Sequence, residues 1–386
     1  FIYEYNVEKN SIATNTIDIY NTVSIDPPGC KDIDDALSFK LIANNKVEVS
    51  IHIANVAQWV DRHNLITNLY STIYLKNGEQ INMLDDDITY NKLSLGSNGI
   101  PKNAMSLFLV YDMVSTNTNT NKYTLVDSYF REVSVKNTAI SYRKSDAILA
   151  KANLDIHSTC IYEPNSIEWM IVNLANLCGG DETHEDSKVL SIPSTKMVEH
   201  FMLLYNKIVA EKLYNYNKNT ILRTHRLAET SSISTHEDKL TKYLLNLNQN
   251  AAKYISNPIN TYHESIGSQY YTHATSPIRR FIDVINQLNL QSMLCSHLEP
   301  SLVFIVPDYL DILNEFNKNL RKFYNNYKKL NIVHTFNNTS SPTDEGLLSE
   351  KSQTLDAYIV EITPYKLKLY IPLLDIEHSC QPISPK

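Results

Sequence analysis

The chain has 386 residues, of which 43% are hydrophobic and 20% are charged, so it can form a core and is not disordered as a whole. This length predicts one large domain with a smaller appendage. The formal net charge of −7 excludes a generally basic coat for nucleic acid, so any nucleic acid would need a local basic channel.

The first informative segment, residues 24–37, carries four aspartates within ten positions on a loop that contains Pro and Gly. They are Asp26, Asp32, Asp34 and Asp35. Carboxylates held this close raise one another's pKa unless a cation neutralises them. Mg²⁺ takes oxygen ligands and keeps positions open for phosphate and water, and two such ions could assist hydrolysis of a phosphodiester. The alternative is a solvated acidic turn. An EF-hand is excluded, because the D-x-D-x-D-G loop and its terminal Glu are missing.

Hydrophobic patterns predict the elements that follow. Residues 46–53 alternate between apolar and polar positions, which predicts a strand, and the apolar run 107–111 predicts a short buried strand. Residues 194–213 have apolar side chains at helical spacing, and residues 310–330 predict a further long helix.

The second informative segment, residues 270–283, includes the start of a helix predicted over residues 278–294. Pro277 is favoured at helix starts, and Thr275 or Ser276 can cap the helix.

Arg279 and Arg280 would then lie in the first turn of that helix. Cations at the N-terminus of a helix interact unfavourably with the helix dipole. Two arginines at this position therefore favour the interpretation that both side chains bind an anion. Guanidinium groups bind phosphate in bidentate fashion. The alternative is a surface pair whose stems pack on Phe281.

The last part of the chain predicts a separate unit. Residues 337–353 are rich in Asn, Ser and Thr and predict a linker. Residues 357–362 and 367–371 predict short strands. Strands mixed with long helices therefore predict a mixed α/β (α+β) domain followed by a small β unit.

Together, the two motifs resemble the ribonuclease II (RNB) family. The family's aspartate pattern, I-D-x-x-x-x-x-D-x-D-D-A, is present from Ile25 to Ala36. Its later pattern, Y-x-H-x-T-S-P-I-R-R-x-x-D, is present from Tyr271 to Asp283. Weaker matches between the motifs extend the resemblance over about residues 20–330.

The resemblance implies an RNB-type catalytic domain over residues 1–336, with a central mixed sheet flanked by helices. A linker over residues 337–353 and a partial C-terminal OB-type RNA-binding barrel over residues 354–386 would follow. The implied activity is hydrolytic and processive, degrading single-stranded RNA from its 3′ end to nucleoside 5′-monophosphates. The implied cofactor is Mg²⁺, or Mn²⁺ in its place, in a two-metal mechanism.

The resemblance also assigns roles to individual residues. All four aspartates match metal-binding and catalytic aspartates, and Asp34 is the candidate tied most directly to the reacting water. Arg279 matches the arginine that holds the scissile phosphate, and Arg280 is its catalytic neighbour. The predicted RNA-binding residues are Tyr74, Tyr142, Arg223, His273, Thr275 and Ser276. Tyr142 matches a tyrosine that stacks near the 3′-terminal base, and Tyr74 one that clamps RNA farther up the channel. Taken alone, Tyr142 and His273 would be interpreted as structural residues.

Some positions depart from the family pattern. Asn55 stands where the family usually has Asp, Lys102 where Arg is common, and Gln287 where His is usual. These departures bear on rate, processivity and RNA binding, and they would suit a divergent member, such as one encoded by a virus or a mobile element. The competing interpretation is an RNA-binding module without turnover, and a metal-dependent phosphatase is a weaker third.

The cysteines and the absence of apolar runs predict a location. Five cysteines without a CxxC pair predict a reducing compartment, with neither a disulfide framework nor a zinc site. No run approaches the ~18 apolar residues of a membrane span, and no signal peptide opens the chain. We therefore expect a cytoplasmic monomer that binds RNA and no membrane, unless a larger RNA-processing assembly recruits it. Because the first residue is Phe1, we also expect a fragment or a processed product.

Overall fold

The computed structural model describes most of the chain. The described residues are 18–42, 45–63, 69–75, 78–96, 99–115, 121–154, 162–179, 192–226, 240, 243, 251–256, 261–294, 307–338, 354–363 and 365–381. The chain divides into two compact units. The first comprises Phe1–Arg223, Ser256–Thr261 and Tyr270–Phe304, and the second comprises Thr224–Ile255, Tyr262–Gln269 and Ile305–Lys386. The predicted domain boundaries at 336 and 354 stay a prediction.

Strands and helices occur in groups along the described part of the chain. The strands are β1 (Ile19–Asp26), β2 (Asp35–Ile42), β3 (Lys46–Ala54), β4 (Ile73–Tyr74), β5 (Gln80–Ile81), β6 (Lys102–Ser115), β7 (Asn121–Ser141), β8 (Ile221–Thr224), β9 (Lys253–Ser256), β10 (Tyr358–Thr363), β11 (Lys366–Ile371) and β12 (Ile376–Cys380). The α-helices are α1 (Val56–His63), α2 (Tyr142–Leu154), α3 (Ile167–Gly179), α4 (Ser194–Tyr216), α5 (Phe281–Leu294) and α6 (Pro307–Asn338). A π-helix spans Ile88–Leu93, and a 3₁₀ turn spans Glu264–Ile266. Within the described ranges, no helix combines the length and the apolar character needed to span a bilayer.

Five strands of the first unit form a closed barrel in the order β1-β2-β3-β6-β7. β1 runs parallel to β7, with Val23 opposite Thr138, and the other neighbouring strands are antiparallel. The predicted mixed α+β fold with a central mixed sheet is therefore confirmed. The predicted strands 46–53 and 107–111 lie within β3 and β6. Closure of the barrel was not predicted, and it leaves the sheet without free edges.

One face of the barrel packs against α2, α3 and α4. From β3 and α4 the shared cluster contains Val47, Val49, Ile51, Ile53, Met197, Phe201, Val209 and Leu213. Burying an aliphatic or aromatic side chain of this size contributes about 1.5–3 kcal/mol. The predicted helix over residues 194–213 is confirmed, and it continues to Tyr216 because Leu213 is still buried against the barrel.

The opposite face of the same strands is also buried, but it carries polar side chains. His52 is fully buried, and its Nε2 and Nδ1 lie 3.0 and 2.7 Å from the hydroxyls of Ser38 and Ser106. Burial lowers the pKa of His52 to about 3, so the ring is neutral at pH 7. The rings of Tyr20 and Phe108, on non-neighbouring strands, lie 5.3 Å apart over this face, which indicates the inside of the barrel.

Residues 26–35, here named the aspartate loop, join β1 to β2. Ser94 holds the backbone of this loop. Its Oγ donates to the carbonyl of Lys31 at 2.7 Å and accepts the N–H groups of Ile33 and Gly96 at 3.1 and 3.2 Å. A Cβ at Gly96 would lie 2.6 Å from Cδ1 of Ile33, so a larger residue there would force the side chain of Ile33 to shift.

Residues 276–280, here named the arginine turn, correct the prediction of a helix that begins at residue 278. α5 begins only at Phe281. The backbone of Arg280 forms a bridge with Ser71, and the N–H of Phe281 donates to the carbonyl of Tyr70 at 3.0 Å. These bonds hold the two arginines against a neighbouring segment. The arginines therefore precede the helix and do not oppose its dipole from the first turn.

The second unit contains α6 and an antiparallel sheet in the order β10-β11-β12. The predicted helix over 310–330 is confirmed within α6, and the predicted strands correspond to β10 and β11. The residues described beyond 353 show these three strands, and the OB-type barrel stays a prediction. Most of the predicted linker, residues 339–353, lies outside the described residues, and residues 337 and 338 end α6.

We expect Ser94→Ala to destabilise the first unit. The substitution removes a hydroxyl shared by three backbone groups of the aspartate loop and its neighbour, and an unpaired buried group costs about 1–3 kcal/mol. The midpoint of denaturant unfolding should fall with an unchanged slope. Ser128→Ala, at a half-buried position of β7, is the matched control and should stay close to the wild-type midpoint. Equal stability of the two variants would contradict the assignment.

We also expect acid to destabilise the barrel through His52. The folded-state pKa lies near 3 and the unfolded value near 6.5, so only the unfolded chain takes up the proton between these values. The contribution of His52 to stability is then complete above about pH 6.5 and falls by up to about 1.4 kcal/mol per pH unit below it. Because Asp26 and Asp35 take up protons in the folded state over the same range, with the opposite effect on stability, the loss is measured as the difference between wild type and His52→Gln in denaturant titrations at pH 7 and pH 5. His52→Gln should be less stable at pH 7 but should show a smaller loss at pH 5.

Candidate active site

Asp26 and Asp35 occupy the last position of β1 and the first position of β2. Burial, with a smaller contribution from the charge of the nearby Asp32, raises the pKa of Asp26 to about 6. Burial also raises the pKa of Asp35 to about 7, with an additional contribution from the charge of Asp26. The Oδ2 atom of Asp26 is buried and has no hydrogen-bond partner among the described residues. The ends of two neighbouring strands thus bring together two carboxylates with raised pKa values.

Asp34 joins the two sequence motifs. It is 4% exposed, and its Oδ1 accepts the N–H of Ile278 at 2.8 Å, across 244 positions of chain. Its Oδ2 lies 3.5 Å from Nε of Arg279. Burial raises the pKa of Asp34 well above its usual value, and the charge of Arg279 opposes that shift. The aspartate loop and the arginine turn therefore meet at this carboxylate.

Asp32 is held by two neutral donors. Its Oδ2 accepts the hydroxyl of Tyr74 at 2.5 Å, and its Oδ1 lies 3.7 Å from Sγ of Cys30. Burial raises the pKa of Cys30 to about 12, and the charges of Asp26 and Asp32 add to this effect. The thiol therefore keeps its proton and acts as a weak donor. Burial and the charge of Asp32 likewise raise the pKa of Tyr74, whose hydroxyl stays a donor.

The two arginines have different partners. Arg279 lies against Asp34, donates to Ser276 Oγ at 2.9 Å, and keeps 43% of its side chain exposed. Arg280 donates to Asp283 Oδ1 at 2.9 Å. Asp283 is fully buried and its Oδ1 also accepts the N–H of Ser276, so this carboxylate joins the side chain of Arg280 to the backbone of Ser276.

The predicted RNA-binding residues fall into two groups. Tyr74 and Tyr142 flank the aspartates: burial and the charges of Asp35 and Asp26 raise the pKa of Tyr142 to about 12. Thr275 and Ser276 are 4% and 3% exposed. Thr275 immediately precedes the arginine turn, and Ser276 is its first residue.

His273 and Arg223 complete the predicted set. The carbonyl of His273 accepts a bond from Asn286, and its ring lies edge-on to that of Tyr271 at 5.6 Å. The backbone N–H of Arg223 donates to the carbonyl of Tyr271 at 2.8 Å. These contacts place both residues beside the segment that leads into the arginine turn.

Asn206 is a positioning residue that was not singled out from the sequence. It lies on α4, its Oδ1 accepts the N–H of Ala274 at 2.8 Å, and its amide donates to Tyr271 and Thr275 at 3.3 and 3.4 Å. It is 3% exposed, which is costly for an amide without such partners. The signal in the sequence was an Asn within an otherwise apolar helical stripe.

Two departures from the family pattern have structural partners. The Oδ1 atom of Asn55 accepts the N–H of Gln58 at 3.0 Å and caps α1, a role in which Asn and Asp are equivalent. Gln287 accepts the N–H of Ala57 and donates to the carbonyl of Ala54, both at 2.9 Å. Both residues therefore support the contact between β3, α1 and α5.

The aspartates fit a hard divalent cation in donor chemistry. They offer only oxygen atoms, and Oδ2 of Asp26 and Oδ2 of Asp34 are buried without hydrogen bonds from the described residues. In the part of the chain that the structure describes, no three Asp, Glu, His or Cys side chains lie close enough together to hold an ion as they stand. The ligand set Asp26, Asp32, Asp34 and Asp35 therefore stays a prediction.

The chain is similar to known nucleases in sequence. It is 26% identical over 319 residues to the exosome complex exonuclease RRP44 of Mus musculus, an alignment that covers 68% of this chain and 32% of RRP44. The chain thus spans about a third of the length of this relative.

Solved structures share the fold. RNase R of Mycoplasma genitalium in complex with ribose methylated single-stranded RNA has a TM-score of 0.64 and 18% identity, covering 93% of this chain and 63% of that one. Yeast Ssd1, a pseudonuclease, has a TM-score of 0.69 and 14% identity, covering 94% and 49%. The model of the RNB domain matches residues 15–159 and 171–296. This match covers most of the chain, which therefore belongs to the RNB domain family.

Proposed function

We propose that the chain is a hydrolytic exoribonuclease that degrades single-stranded RNA from its 3′ end and releases nucleoside 5′-monophosphates. The observation that carries the proposal is the position of Asp34. Its carboxylate bonds to the arginine turn at Ile278 and lies beside Arg279, so the acidic and basic groups needed for phosphodiester hydrolysis lie together.

The chain's own residues suit the reaction. The half-exposed guanidinium of Arg279 is available to bind the scissile phosphate while Ser276 orients it. The Oδ2 atom of Asp34 lies beside Arg279 and accepts no hydrogen bond from the described residues, so it is available to accept the proton of an attacking water. A divalent cation held by the four aspartates would supply charge neutralisation and lower the pKa of a bound water. The ring of Tyr142 would stack on a base without reading its identity.

A second candidate is an RNA-binding module without turnover. The likeness in fold to Ssd1, a pseudonuclease, supports it. The presence of all four aspartates and of the Asp34–Arg279 pair favours the enzyme. A cytoplasmic location and a larger RNA-processing assembly belong to the same proposal, and the name of RRP44 as an exosome complex exonuclease supports the assembly.

We expect Asp34→Asn to lower turnover by at least about a hundred-fold, the effect of losing a positioned general base, while RNA affinity stays within a few-fold of wild type. The assay follows 5′-labelled single-stranded RNA with Mg²⁺ or with EDTA and identifies the released mononucleotides. Asp112→Asn, in an exposed ion pair with Lys46 on the barrel, is the control and should be fully active. RNA binding by wild type without any mononucleotide release would favour the non-catalytic module.

We expect the two arginines to respond differently to substitution by alanine. Arg279→Ala should lower turnover and should cost less stability than Arg280→Ala, because its contact with Asp34 is longer, at 3.5 Å against 2.9 Å, and more exposed to solvent. Arg280→Ala should cost about 3–5 kcal/mol of stability, because it leaves the buried charge of Asp283 without its partner. Single-turnover cleavage and denaturant unfolding of both variants separate these outcomes. Equal effects of the two substitutions on both measurements would contradict the division of roles.

A further inference from the structure

Asp32 lies in a part of the aspartate loop where strand pairing does not fix its side chain. The carboxylate is nevertheless only 7% exposed. Its orientation therefore depends on side-chain donors, and the hydroxyl of Tyr74, at 2.5 Å from Oδ2, is the stronger of the two that the structure shows. The other donor is the thiol of Cys30, a weak one at 3.7 Å.

Tyr74 is itself fixed by the segment that holds the arginine turn. Immediately before β4, the N–H of Thr72 and the hydroxyl of Ser71 both donate to the carbonyl of Arg279, at 2.9 and 3.1 Å. Tyr74 then pairs with Gln80 across β4 and β5. Residues 71–74 therefore connect the backbone of Arg279 to the side chain of Asp32, and they set the position of one relative to the other.

We propose that Tyr74 is a positioning residue whose hydroxyl orients Asp32 for a divalent cation. This inference rests on the proposed function, which places the cation among the aspartates. Ligands of metals in proteins are held by hydrogen bonds from neighbouring groups, and loss of such a bond costs about 10–100-fold in metal affinity. The family resemblance predicts that Tyr74 clamps RNA, a contact for its ring. Orientation of Asp32 instead uses the hydroxyl, so the two roles can be tested separately.

The opposite effect, competition between the hydroxyl and the cation, is disfavoured by the chemistry of the carboxylate. Each oxygen of an ionised Asp has two lone pairs, so an oxygen that accepts one hydrogen bond can still bind a cation. The hydroxyl of Tyr74 uses one lone pair of Oδ2 and leaves the other. Its loss would free the side chain of Asp32 to rotate, and binding a cation would then require this rotation to be lost again.

The test is Tyr74→Phe, which keeps the ring and removes the hydroxyl. Mg²⁺ is titrated while the thermal unfolding midpoint is followed, and free Mn²⁺ is measured by electron paramagnetic resonance as a direct binding assay. We expect cation affinity to fall by about 10–100-fold. The control is Tyr90→Phe, which removes a hydroxyl that accepts from the amides of Gln80 and Asn82, and it should bind cations like wild type.

A double-mutant cycle shows whether Tyr74 acts through Asp32. In the Asp32→Asn background, Tyr74→Phe should cause no further loss of cation affinity. An additional loss of the same size as in wild type would overturn the inference, as would a Tyr74→Phe variant that binds cations as tightly as wild type or more tightly. Unfolding in EDTA reports separately on whether each variant is folded.

Failure of the proposed function has a different signature. If wild type shows no Mg²⁺-dependent stabilisation, or one that Asp26→Asn does not reduce, the cation is absent from the aspartates and the proposed mechanism fails. If wild type binds the cation in a manner that needs Asp26, and Tyr74→Phe binds it equally well, only the role of Tyr74 is overturned.

Discussion

The burial of the Asp34 carboxylate is the constraint on which the site depends. A carboxylate that is 4% exposed must be hydrogen-bonded or paired, and both partners of Asp34 come from the arginine turn. The backbone N–H of Ile278 and the guanidinium of Arg279 satisfy it from a segment far away in the chain. The contacts that stabilise the buried carboxylate of Asp34 are therefore the same contacts that bring the aspartate loop and the arginine turn together.

The remaining aspartates are held in positions where burial disfavours their charged forms. Ser94 fixes the backbone of the aspartate loop, and Tyr74 fixes the side chain of Asp32, so the loop does not rotate its acids towards solvent. Burial then raises the pKa of Asp26 and of Asp35. Buried carboxylates with raised pKa values favour the binding of a cation, and this is the physical basis of the proposed chemistry.

The departures from the family pattern are informative because the structure gives two of them partners. Asn55 caps α1 as an aspartate would, and Gln287 bridges α5 to the end of β3. Both residues support the barrel next to the site. The residues at these positions are therefore compatible with an assembled site.

The sequence alone was sufficient to identify the aspartate pattern and the arginine pair. It was also sufficient to predict the strands within β3 and β6 and the long helices α4 and α6. These follow from local spacing and from periodicities that backbone geometry imposes. Barrel closure, the start of α5 at Phe281, the different partners of Arg279 and Arg280, and the contact between Tyr74 and Asp32 were decided only by the tertiary structure. Each of these depends on pairing between segments distant in the chain, and local sequence does not determine which distant donor a buried acid will find.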